Sequence, residues 1–139
     1  MGRKSSRRHA FSIVYQLAFH SECFDVRVAA EDYITENGIA TEDARFIYKL
    51  VDGVLRHLPE IDSLVCERAG WGFDRVASVD LAILRIALFE ILYSDNAPIS
   101  VVINEAVEIA KIYGTDDSSA FINGLLGQVA NHPEGRGGK

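Results

Sequence analysis

Apolar side chains recur at intervals of three and four residues along almost the whole chain, and no stretch alternates with period two long enough to suggest a strand. The pattern predicts an all-α, single-domain bundle of about seven helices. The first is expected from about Ser6 to His20, burying Ala10, Ile13, Val14, Leu17 and Ala18 with Phe11 and Tyr15 on its flanks. A second, about Val26 to Glu36, should stop at Asn37-Gly38. Thr41 reads as the N-cap of a third, with Glu42 and Asp43 in its first turn and a stripe running from Phe46 to Leu58. Pro59 opens a fourth, which reaches about Ala69 before Gly70-Trp71-Gly72 breaks the pattern. Ser78 reads as the cap of the most apolar helix, Val79 to about Tyr93. Its apolar residues wrap most of the circumference, so it belongs at the centre of the bundle. Pro98 and Ser100 start a sixth that closes at Tyr113-Gly114. The linker Thr115-Asp116-Asp117-Ser118 is expected to cap a last helix containing Phe121, Ile122, Leu125, Leu126 and Val129.

This organisation divides the chain into a basic arm and first turn (1–9), a helical domain (10–130) and a loose polar tail (131–139). With 139 residues and 48% apolar content, the domain can bury a sizeable core without metals or disulfides. Cys23 and Cys66 lie in helical patterns with no CxxC or Cys/His spacing, which fits reduced thiols. No apolar run approaches the roughly 20 residues a bilayer crossing needs, so a cytoplasmic location with no membrane partner is expected.

Charge changes the picture more than composition does. The net charge of −6 divides into +4 over the first nine residues, from Arg3, Lys4, Arg7 and Arg8, and −10 over the rest. Cations in a first helical turn oppose the macrodipole, so local helix preference does not explain them. Either the cluster is a solvated start, or it grips nucleic acid locally, since its field reaches only about 8 Å at physiological salt.

Catalytic chemistry is hard to find. Glu105 and Glu108 share a helix face, but none of His9, His20, His57 and His132 follows a Glu by the three residues a di-metal bundle site requires. There is no GxSxG elbow and no glycine-rich phosphate loop. The chain therefore reads as a non-enzyme with no cofactor and no metal. Asp80 with Arg85, and Glu90 with Arg85, read as surface or helix-end ion pairs. Asn104 and Asn123, each following an Ile in an apolar run, read as helix-to-helix hydrogen bonds that fix packing register. Periodicity places Phe121 in the core, with an exposed stacking surface for a base as the alternative.

Four blocks, Trp71-Gly72-Phe73-Asp74-Arg75-Val76, the run Val79 to Leu92, Ile103 to Lys111 and Phe121 to Leu126, resemble the NusB family of bacterial antitermination factors. The basic arm leading into Ala10-Phe11 and Val14-Tyr15-Gln16 is similar to that family's N-terminus, and the likeness extends in order from about Arg3 to Val129. It implies a seven-helix fold that pairs with NusE, a small-subunit ribosomal protein, and holds single-stranded boxA RNA, helping RNA polymerase in its antitermination complex resist termination on ribosomal RNA operons. The RNA-facing positions it implies are Arg3, Lys4, Arg7, Arg8, Asp117, Ser118 and Phe121; the NusE-facing ones are Asp80, with Asp74 and Arg75 nearby. Ser5 and Ser6 interrupt what is often a denser arginine run in the family. Two alternatives stay open. One is a purely protein-interacting module, like the NusB-like domain ahead of ribosomal RNA cytosine methyltransferases, although a chain of this length is expected to carry no methyltransferase domain. The other is a free homodimer that covers its apolar helices or basic arm until a partner arrives.

Overall fold

A computed structural model describes residues 2–18, 25–70, 76–95 and 97–131. Among the described residues there are seven α-helices and no strand: α1 Arg3–Tyr15, α2 Val26–Glu36, α3 Thr41–Arg56, α4 Leu58–Ala69, α5 Ser78–Tyr93, α6 Ile99–Tyr113 and α7 Ser118–Ala130. A 3-10 turn, Gln16–Ala18, follows α1 directly. None of these helices is long and apolar enough to cross a membrane.

Helix α5 is the axis of the bundle, as its all-round apolar surface predicts. Every residue from Asp80 to Leu92 is buried, and α1, α3, α4, α6 and α7 all pack on it. At about 1.5–3 kcal/mol for each large apolar side chain removed from water, this one helix supplies much of the driving force for folding. Against α3 the approach is close enough that a Cβ on Gly53 would collide with the ring of Phe89. Asn37 caps α2, and Gly38 beyond it takes the left-handed φ of +61° that the Asn-Gly pair anticipates.

Several helix boundaries differ from the sequence reading. Helix α1 begins at Arg3, so the basic residues are inside the helix and not on an arm before it, and it gives way to the 3-10 turn after Tyr15. Thr41 and Ser78 are first helical residues; Ala40 and Ala77 hold the cap positions, without a side-chain hydrogen bond. Asp117 holds the cap position of α7, yet its carboxylate makes no capping bond either.

The polar residues of α5 find partners far away in sequence, not the local pairs expected. Arg85 forms two 2.9 Å hydrogen bonds with Asp62 of α4. Glu90 receives both arms of Arg7 from α1. Asp80 is hydrogen-bonded by the Ser118 side chain of α7. Asn104 and Asn123 are exposed, so they face solvent and do not knit helices together. Cys66 is a free thiol on α4; Cys23, His20, Trp71, Asp74, Arg75 and His132 lie outside the described residues.

Candidate nucleic-acid interface

Helix α1 spreads its four cations over an arc of about 140°, with Arg3 and Arg7 on the side that faces Phe46 and Lys4 and Arg8 on the other. Arg7 turns inward: it is 5% exposed, its Nε donates to Glu90 Oε1 at 2.7 Å, and its second nitrogen donates to Oε2 at 2.9 Å. Burial alone would lower the Arg7 pKa, but the hydrogen bond and charge of Glu90, with the more distant charge of Glu105, raise it above its ordinary value. The contact is bidentate, a fixed strut between α1 and α5.

Arg3, one turn earlier, is exposed, and its guanidinium lies over the Phe46 ring at 3.8 Å from the centroid. Lys4 is exposed and Arg8 half-buried, with no hydrogen-bond partner at Arg8 Nε. Lys4, Arg8 and Tyr15 stand at i, i+4 and i+11, which places them on one stripe of α1.

An aromatic run borders that stripe. Phe11 stacks on Tyr15 at 5.9 Å between centroids and packs against Tyr113 of α6 at 5.3 Å. Tyr113 is 50% exposed and ends α6, so the linker to α7 departs from the edge of the basic stripe. Asp117 on that linker is exposed, and Phe121, one turn into α7, is half-buried against the core. Phe121 thus fits neither of its two sequence readings fully: part of it is packed and part is presented.

Ser118 is only 2% exposed, and its hydroxyl looks inward. The Oγ accepts a hydrogen bond from the Thr115 backbone N–H at 2.9 Å, and the side chain also hydrogen-bonds the buried Asp80 carboxyl. Asp80 Oδ1 has no partner. Desolvation raises the Asp80 pKa against the opposing effect of the Ser118 hydrogen bond. Through Ser118, α5 thereby sets the shape of the linker that bears Asp117.

Residues 4–131 match the NusB family. The chain belongs to the NusB family. It is 41% identical over 133 residues to the transcription antitermination protein NusB of Ruminiclostridium cellulolyticum, covering 94% of this chain and 89% of that one. It is 38% identical to the protein of the same name from Agathobacter rectalis, covering 94% and 100%. Among solved structures, NusB of T. maritima superimposes with a TM-score of 0.87 at 31% identity, covering 95% of this chain and 92% of that one. A crystal structure of the antitermination factors NusB and NusE in complex with double-stranded RNA matches with a TM-score of 0.84 at 25% identity, covering 93% and 96%. These relatives are transcription antitermination proteins, and their fold is the all-α bundle described above.

Of the RNA-facing positions implied by the family resemblance, the fold brings Lys4 and Arg8 onto one stripe, and turns Arg7 and Ser118 into the protein. Asp80, implied as partner-facing, is 7% exposed and engaged with α7. The sequence does not single out Tyr15 and Tyr113 as site residues, because each reads as a helix flank or stop. A half-exposed aromatic at a helix end, beside a polar linker, is the signal that points to them.

Proposed function

We propose that this chain is an RNA-binding transcription antitermination factor that holds boxA RNA of ribosomal RNA operons together with NusE, as part of the RNA polymerase antitermination complex in the cytoplasm, and catalyses no reaction. The observation that carries the reading is the adjacency of the Lys4–Arg8 stripe to the Tyr15–Phe11–Tyr113 aromatic run and the linker beyond it. Single-stranded RNA is held by that combination: cations for phosphates, ring faces for bases and acceptors for base edges.

Within this reading Arg3, Lys4 and Arg8 contact phosphates, and Phe121 offers a stacking face. Asp117, whose carboxylate makes no capping bond, accepts from a base amino group. Arg7 and Ser118 belong to the same site by holding its two halves in place through Glu90 and Asp80. Asp74 and Arg75 contact NusE, and Asp80, buried against α7, serves that side by fixing the start of α5.

Three phosphate-facing cations, not four, give a salt dependence of about −2 in log K against log salt for single-stranded RNA. That supports weak binding, so NusE supplies the remaining affinity. A gel shift with boxA RNA, with and without NusE, tests the reading by comparing wild type with Lys4→Glu/Arg8→Glu. The double variant is expected to lose the shift in both conditions, while unchanged binding would overturn the reading.

A further inference from the structure

Beside the basic stripe, the corner between α1 and α3 forms an open pocket of about 350 Å3 lined by Arg3, Glu42, Arg45, Phe46 and Lys49. The four α3 residues stand at i, i+3, i+4 and i+7, so they share one face of that helix. Three cations and one carboxylate make this corner basic on a body that is otherwise strongly acidic. Phe46 is 5% exposed and forms the floor, and the Arg3 guanidinium lies over its ring. A guanidinium held against an aromatic face loses little further freedom when its N–H edge meets a phosphate.

We propose that this pocket is a phosphodiester subsite, engaging the RNA strand where it runs beyond the segment held by the Lys4–Arg8 stripe and Phe121. The proposal rests on the RNA-binding reading above and adds to it Arg45 and Lys49, which come from α3 and which no basic run in the sequence announces. Arg3 connects the two regions, since it begins the same helix as Lys4 and Arg8 and forms one wall of the pocket. The chemistry favours a nucleic acid strand over an acidic protein segment because the subsite continues, through Arg3, the set of cations that Lys4 and Arg8 begin on α1. Glu42 is the one group on its wall that opposes an anion.

Binding is measured by fluorescence anisotropy over a range of salt, using a labelled boxA RNA and the same RNA extended by a short uridine tract at either end. The wild-type chain is expected to bind one extended RNA more tightly than the core RNA. Arg45→Glu/Lys49→Glu should remove that gain, weakening the extended RNA about tenfold and reducing its salt slope by about 0.7 for each phosphate no longer neutralised, with the core RNA unaffected. Glu42→Gln should act in the opposite direction and strengthen only the extended RNA, which tests the subsite without introducing repulsive charge. If the wild type binds neither RNA, the RNA-binding reading itself fails. If it binds the core RNA but extension adds nothing, or both variants match wild type on the extended RNA, the subsite is wrong while the RNA-binding reading stands. A charge reversal that weakens NusE capture and leaves RNA binding intact would also overturn it, assigning the pocket to a protein partner.

Discussion

The guanidinium of Arg7 meets the carboxylate of Glu90 edge to edge, with the two side chains 6% and 1% exposed and 83 residues apart in the chain. A cation from the most basic segment of the sequence is thus enclosed by the most apolar helix. Removing one partner strands the other charge in the core, at a cost of about 3–5 kcal/mol, whereas replacing both with apolar groups of similar size is often neutral or stabilising. Glu90→Ala is therefore expected to lower the urea midpoint sharply, and Arg7→Met/Glu90→Leu to restore most of it. If the double variant still binds boxA RNA with the wild-type salt slope, Arg7 is a strut and not a phosphate ligand; a slope reduced by about 0.7 would place it on the RNA.

Asp80 sets a pH dependence of stability. Its pKa is raised in the folded protein above the ordinary value of 3.8, mainly by desolvation, so the native state binds its proton more tightly than the unfolded chain does. The resulting stabilisation is fully present below pH 3.8 and is lost as pH rises through the higher folded value. Asp80→Asn, which removes the buried charge, is expected to be at least as stable as wild type at neutral pH. Its advantage should shrink as pH falls toward the ordinary carboxylate range. Paired urea titrations from acid to neutral pH check this, and a difference that stays flat or grows on acidification would contradict it.

Asp117 combines an exposed carboxylate with a position at the start of α7 where it makes no capping bond. An acid beside phosphates limits affinity, and an amide retains an acceptor for a base edge without the charge. Asp117→Asn is expected to leave RNA binding intact or strengthen it, with no loss of thermal stability. Weakening of about tenfold, or roughly 1.4 kcal/mol, in an anisotropy titration would show that the carboxylate itself is required.

Tyr113 and Phe121 separate stacking from charge. Loss of one aromatic platform costs about 1–3 kcal/mol of single-strand binding and leaves counterion release unchanged. Tyr113→Ala and Phe121→Ala should each weaken boxA RNA binding at constant salt slope, with Tyr113→Phe near wild type. Because Tyr113 is 50% exposed, its truncation should also have the smaller effect on the melting temperature.

The fold was legible because helical spacing, the Asn37-Gly38 stop and the all-round apolar character of α5 are local properties. The number of helices and the central one could therefore be read directly. What local pattern could not disclose was the direction of the polar side chains. Asp80, Arg85 and Glu90 are recognisable in the sequence as groups needing partners, but those partners lie on α7, α4 and α1 and not among their neighbours in sequence. The same blindness affects the site. Arg7 and Arg8 are adjacent cations in the sequence, and a helix separates them by about 100°, sending one into the core and leaving the other half-exposed. Asn104 and Asn123 are the opposite case, since their apolar flanks suggest burial while helical phase places both outside.

Helix α5 has a consequence for the bundle that hydrophobicity cannot supply. A cylinder that is apolar on every side gains almost the same burial at any rotation about its axis, so burial by itself leaves its angular setting undetermined. Asp80, Arg85 and Glu90 are spaced five residues apart, each about 140° around from the last, so they point outward in three well-separated directions. Each finds its counterpart on a different neighbouring helix. Turning α5 by one residue, or sliding it by one turn, would part all three from their counterparts at once. The three polar side chains act as an index that clocks the central helix to a single phase, and the spacing between α1 and α7 is inherited from that setting.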